Sequence, residues 1–195
     1  PCRQCPGWRR WPRKVRKLFE PPMKSPVAPA ARLTGLAPVV DARTVLLVLG
    51  SFPGAASLRA QQYYAHPQNQ FWPLLQALWP QHPMPERSDC AGRRDWLLAR
   101  RLGLWDVYGA CERKGSLDTH IRAAELNDFA GLRRRCPLLV ASGHNGGHSF
   151  KHARPLAALG LAVHALPSTS AAHAAWSFER KLGAWASTMA AHGLL

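Results

Sequence analysis

Acidic side chains are scarce in this 195-residue chain: 11 Asp and Glu stand against 26 Lys and Arg, a formal charge of +15. From Thr44 to Pro85 there is no carboxylate at all. A basic surplus of this size attracts polyanions through counterion release, so a nucleic-acid partner is expected. The surplus is uneven, because residues 1 to 22 hold seven basic side chains and one acidic, leaving +9 for the remainder. No apolar run approaches the length of a membrane span, and the N-terminal stretch lacks the apolar centre of a secretion signal. The expectation is therefore no membrane partner and a cytoplasmic, nucleoid-associated location. Cysteines are few and unevenly placed, at 2, 5, 90, 111 and 136, which suits reduced thiols rather than a disulfide framework. Cys2-x-x-Cys5 has no second pair with which to hold zinc or an iron-sulfur cluster, so neither metal nor cofactor is expected.

What is present reads as one domain with a full core. Thr44 to Leu49 (TVLLVL), closed by Gly50, predicts a buried strand. A helix is expected near 70 to 80, with Phe71, Leu74, Leu75 and Leu78 on one face and Pro73 in the first turn. A second, about 88 to 101, starts at Ser88 or Asp89. Then come a strand near 104 to 108, a loop, a helix near 127 to 135 opened by Asn127, and a strand at 137 to 142. A helix after Gly147, a strand at 161 to 166 and a long helix from about 173 complete the alternation. Four strands separated by helices predict an α/β three-layer domain over residues 39–195, with a central, mainly parallel four-stranded sheet flanked by helices. Trp72, Trp79, Trp96, Trp105, Trp176 and Trp185 are expected in the core. Residues 1–38 read as an arm, first basic and then Pro/Ala-rich, with either a natural start at Met23 or a basic segment that touches phosphate.

The chemistry concentrates after the first strand, in LGSFPGAASLRAQQYYAHPQNQFW (Leu49 to Trp72). Ligands of open α/β sheets bind outside the carboxyl ends of strands, and Gly50, Pro53 and Gly54 let the backbone turn sharply there. Taken alone, such a turn is common. The spacing from Gly50 through Tyr64, His66, Pro67 and Asn69 to Phe71-Trp72 resembles the first motif of the uracil-DNA glycosylase superfamily. The pairing of GSFPG with YYAHPQNQFW resembles its hypoxanthine-DNA glycosylase branch. LWDVYGACERKGSLD (104 to 118), LLVASGHNGG (138 to 147) and LPSTSAAHA (166 to 174) extend the resemblance to the C-terminus.

That resemblance implies a monofunctional DNA glycosylase that flips a deaminated base out of DNA and hydrolyses its N-glycosidic bond, with hypoxanthine from deoxyinosine the expected base. A uracil or mismatch thymine glycosylase, or a catalytically silent nucleic-acid-binding domain of the same fold, is the alternative. The mismatch-specific relatives carry a catalytic Asn at the third residue of the turn, where this chain has Phe52, whose side chain neither holds a water nor pairs with a base. In the hypoxanthine branch the role passes to Asn69, which otherwise reads as a helix cap. Tyr64 is expected to stack on the base, and the backbone at Ser51 and Phe52 with the amide of Asn145 are candidate donors to it. Hypoxanthine requires a donor to its C6 carbonyl and an acceptor for its N1–H. Ser168, Thr169 and Ser170 either hold DNA phosphates or cap a helix. Ser57, His66 and His173 are placed with the same DNA-backbone set. Relatives send a side chain from the last loop into the DNA stack, whereas this chain has Ala171-Ala172 there and only His173 to serve. The carboxylate-free first loop suits a pocket flanked by phosphates. His144, His148 and His152 are spaced by four, but Gly146 and Gly147 break the helix that would align them on a metal. Arg93-Arg94 and Arg133 to Arg135 read as solvated faces. The expected form is a monomer.

Overall fold

The computed structural model describes residues 32–195, so the basic arm, the start at Met23 and the Cys2-x-x-Cys5 pair lie outside the described residues. The strands are β1 (Arg32–Thr34), β2 (Leu46–Gly50), β3 (Leu102–Asp106), β4 (Tyr108–Glu112), β5 (Arg122–Leu126), β6 (Ala141–Asn145) and β7 (Ala162–Leu166). The helices are α1 (Ala55–Ala60), α2 (Phe71–Leu78), α3 (Cys90–Ala99), α4 (Leu132–Arg135), α5 (Gly147–Phe150), α6 (Arg154–Ala158) and α7 (Phe178–Ala191).

The apolar run TVLLVL becomes the centre of the molecule. Strand β2 is parallel to both β3 and β6, and β7 extends the sheet in the order β3-β2-β6-β7. Every β2 residue is buried. Side chains alternate across a pleated strand, so Leu46 and Val48 enter one core and Leu47 and Leu49 the other. Full burial of each contributes about 1.5 to 3 kcal/mol. The first core is closed by Phe71, Leu74 and Leu75 of α2, Leu97 of α3, and Trp185 and Met189 of α7. The second is closed by Leu132, Leu139, Leu156 and Leu161. The domain is thus a parallel four-stranded sheet with helices on both faces, as its sequence pattern predicts.

Two helix starts follow from N-cap side chains that satisfy otherwise unpaired N–H groups. Asp89 accepts from Gly92 N at 2.7 Å to open α3, and Ser177 accepts from Arg180 N at 3.2 Å to open α7. The last helix therefore begins five residues after the expected start, and the PSTS segment remains a loop. Residues 127 to 135 hold only the short α4. The Asn127 side chain donates to Asp106 O at 2.8 Å and its N–H bonds Val107 O, which ties the segment to the end of β3 instead of starting a helix.

A second sheet, antiparallel β1-β4-β5, was not foreseen. Strand β5 is exposed along its whole length, so it carries no buried alternation to read, and β1 lies upstream of the boundary expected at 39. Trp176 also departs from expectation. It is half-buried in the loop before α7, with the Arg180 guanidinium 3.8 Å from its ring centre.

Candidate active site

Parallel strands end at one edge of a sheet, and here those ends build a single cavity of about 510 Å³. Gly50 and Ser51 come from the end of β2, Asp106 from β3, Asn145 from β6, and Ser168 to Ser170 follow β7. The loop after β2 supplies Phe52, Ser57, Tyr64, His66 and Asn69, and His173 closes the far wall. All eleven residues expected at the site from sequence line this one cavity.

The expectation of a pocket without carboxylates fails, because two arrive from another part of the chain. Gly50 and Asp106 are register partners on β2 and β3, which sets the Asp106 carboxyl against the turn. A Cβ on Gly50 would overlap Asp106 Oδ1 and come within 3.3 Å of the Tyr64 hydroxyl. Asp106 is 4% exposed, and its Oδ2 has no hydrogen-bond partner. Burial, reinforced by Asp118 and opposed by Arg113, raises its pKa to about 8, so the group is a neutral acid at pH 7. Asp118 accepts a hydrogen bond from Ser51 Oγ at 2.7 Å.

Tyr64 presents one side to Phe71, with ring centres 4.0 Å apart and planes 23° from parallel, while it also lines the cavity. Its backbone sits at φ 55°, and burial together with Asp106 pushes its phenol far above the ordinary range. Asn69 Oδ1 accepts from Phe71 N at 2.9 Å. Its amide therefore caps the first turn of α2 while Nδ2 keeps its donor hydrogens at the cavity wall.

The loops that carry Gln70 and His173 are tied together. Gln70 N donates to Thr169 O at 2.9 Å, and Lys181, buried on α7, donates to Gln70 Oε1 at 2.8 Å and to His173 O at 3.0 Å. Nothing in the periodicity of α7 marks Lys181, since a lone lysine on a helix reads as a solvated residue.

The sequence is 38% identical over 152 residues to the hypoxanthine DNA glycosylase of Methanosarcina barkeri, an alignment that takes in 78% of this chain and 94% of the relative. Against the hypoxanthine DNA glycosylase of Methanosarcina acetivorans the identity is 37% over 150 residues, 75% of this chain and 92% of the relative. The chain belongs to the hypoxanthine DNA glycosylase family. No family model matches it. The solution NMR structure of a Methanosarcina acetivorans protein named as a proposed uracil DNA glycosylase superposes with a TM-score of 0.70 at 34% identity, covering 84% of this chain and 99% of that one. The fold is that of the uracil-DNA glycosylase superfamily.

In this hypoxanthine DNA glycosylase family member the expected site residues differ in what already engages them. Phe52 belongs to the second core, with the Arg113 guanidinium 4.9 Å from its ring centre, and its carbonyl accepts from Arg113. Ser51 is engaged through its carbonyl by Tyr108 N and through its hydroxyl by Asp118, contacts that do not involve the backbone N–H groups of Ser51 and Phe52 expected as donors. Asn145 and Thr169 form a reciprocal pair, Nδ2 to Oγ1 at 2.8 Å and Thr169 N to Oδ1 at 2.9 Å. Thr169 has no exposed surface and braces Asn145, most of whose amide is committed to it. Ser57 is also buried, and its hydroxyl accepts from Ala65 N at 3.2 Å, which stabilises the loop.

Ser168 and Ser170 remain suited to phosphate. Their oxygens accept from Ser170 N and Ala172 N in successive turns, which leaves each hydroxyl hydrogen free to donate. They cap no helix, because Ser177 does that. His66 Nδ1 accepts from Gln68 N, which places the ring proton of the neutral form on Nε2. The three-histidine set divides. His148 and His152 share the Tyr108 hydroxyl, at 3.3 and 2.7 Å, while His144 bonds Ser149 Oγ. Ser149 gives its own proton to Leu49 O, so His144 donates from Nδ1, and burial lowers its pKa to about 4.

Proposed function

We propose that the chain is a monofunctional DNA glycosylase of base-excision repair that hydrolyses the N-glycosidic bond of deoxyinosine and releases hypoxanthine. The observation that carries this reading is a carboxyl held neutral at neutral pH, lining a cavity roomy enough for a flipped nucleotide beside an aromatic ring and a free amide donor. Hypoxanthine offers a carbonyl at C6 and a proton on N1. A neutral Asp106 donates to the first through its O–H and accepts from the second through its other oxygen, the pairing that the sequence could assign only to an amide or to backbone. Tyr64 supplies a flat, base-tolerant face.

Cleavage breaks the C1′–N9 bond and leaves an oxocarbenium-like sugar with negative charge gathering on the departing purine. Asn69 Nδ2 is the positioned donor for that charge, acting electrostatically rather than as an acid or base. Water adds to C1′ and releases a proton to solvent, and the departing purine anion takes one up, which gives an abasic sugar and neutral hypoxanthine. Among the described residues lining the cavity there is no lysine to form a Schiff base, so the strand stays intact. Ser168, Ser170 and His66 hold phosphates around the flipped nucleotide. On this reading the enzyme acts as a monomer on DNA in the cytoplasm. No helix among the described residues is long and apolar enough to cross a membrane.

The test is single-turnover release from duplexes bearing one deoxyinosine, deoxyuridine or mismatched thymidine. Hypoxanthine release faster than uracil release, with an alkali-labile abasic product, supports the reading. Faster uracil release moves the chain toward the activity named for its structural neighbour, and no release from any duplex identifies a silent DNA-binding domain.

A further inference from the structure

A nucleotide rotated out of a duplex leaves a gap in the stack, and proteins that open DNA fill such gaps with an apolar side chain. The loop after β7 cannot do this with Ala171 and Ala172, which are too small. Leu117, Leu126, Leu138, Val140, Phe150 and Leu195 are the exposed large hydrophobic residues among those described, and of these only Leu117 lines the cavity.

We propose that Leu117, on the loop between β4 and β5, is the wedge that enters the DNA stack when the base is flipped, an inference that rests on the glycosylase reading. Leu117 is 52% exposed among the described residues, although burial of a leucine is favourable. A wedge must also be stiff, and both neighbours of Leu117 are anchored to the Gly/Pro turn. Ser116 Oγ accepts from Ala55 N at 3.0 Å, and Asp118 Oδ1 accepts from Ser51 Oγ at 2.7 Å. The loop is further closed by Leu117 O with His120 N and by the His120 ring against Lys114 O, both near 3 Å. Gly115, at φ 76° with open space around it, makes the turn that lifts the tip. Exposed Lys114 and Arg122 flank the apolar tip with positive charge, the arrangement that suits a side chain passing between two phosphate strands.

The test compares hypoxanthine release from duplex and from single-stranded oligonucleotides, because only the duplex has a stack to refill. Leu117→Ala should slow release from duplex by roughly 10- to 100-fold while leaving single-strand release unchanged. Leu117→Phe should keep most of the duplex rate, and Leu126→Ala, an exposed leucine away from the cavity, should match wild type. A 2-aminopurine placed beside deoxyinosine should brighten on binding wild type and less on binding Leu117→Ala. Wild-type release together with an unaltered Leu117→Ala duplex rate overturns the wedge alone, as does an equal loss on both substrates. A wild-type protein that releases no base removes the glycosylase reading, and the wedge with it.

Discussion

Gly50 and Asp106 face each other across the β2–β3 ladder, and the missing side chain on the first is what admits the carboxyl of the second. The pairing brings a buried acid to the turn that begins the base pocket. Its protonation state then becomes a handle on both chemistry and stability.

Asp106 has a pKa of about 8 in the folded chain against an ordinary value of 3.8. Between those values the native state keeps a proton that the unfolded chain has lost, so this group lowers stability as pH rises from about 4 to about 8. Asp106→Asn removes that slope, and urea unfolding should show the variant gaining more over wild type at pH 8 than at pH 5. Single-turnover hypoxanthine release by wild type should fall as pH passes through about 8, when the O–H donor is lost. Release by Asp106→Asn, which keeps a donor and an acceptor, should not show that fall.

Asn69 is expected to act in two separable ways. Asn69→Ala should lose about 0.5 to 2 kcal/mol of stability with the cap on Phe71 N, and roughly 10²- to 10³-fold in release rate with the Nδ2 donor. Asn69→Asp keeps an acceptor for the cap and lacks the donor, so it should recover stability without recovering rate. Thermal unfolding alongside single-turnover assays separates the two, and near wild-type release by Asn69→Ala would make the amide structural.

The loop after β7 should divide by residue. Ser168→Ala with Ser170→Ala should weaken binding to damaged and undamaged DNA alike and flatten its salt dependence, with little change in stability. Thr169→Val leaves Asn145 Nδ2 without its acceptor, while the backbone bond from residue 169 to Asn145 Oδ1 persists, and should cost about 1 to 3 kcal/mol of stability. Salt titrations of DNA affinity and chemical unfolding, run on both variants, check the division.

Lys181 is expected to matter beyond its own contacts. Lys181→Met leaves Gln70 Oε1 and His173 O without their donor, and should cost about 1 to 3 kcal/mol of stability. It should also raise the KM for duplex more than it lowers the chemical rate, because what it holds is the spacing of two loops. Steady-state and single-turnover kinetics on one substrate distinguish this from a purely structural loss, which would move neither constant at a temperature where the variant is folded.

The sheet and its binding edge were legible because TVLLVL ends in glycine and its helical neighbours carry clear apolar faces. That the HPQN and PSTS segments meet at one cavity was legible too, since they follow strands that end at the same edge. Orientation was not. Phe52, Ser57 and Thr169 look alike in sequence whether they face a ligand or the core, and only packing separates them. Asp106 escaped notice because its importance comes from a ladder partner 56 positions away in the chain. Strand β5 escaped because a strand with no buried side carries no hydrophobic alternation.

Lys181, with Gln70 and His173, has a final consequence for timing. In the DNA-free protein one buried ammonium already joins the two neighbouring loops that carry Gln70 and His173. Little conformational freedom is then left for the enzyme to surrender on encounter, and the distortion has to come from the duplex. Lesions that weaken pairing, such as inosine opposite thymine, should be surrendered sooner than well-paired ones, so the choice among damaged sites is made partly by the helix that contains them.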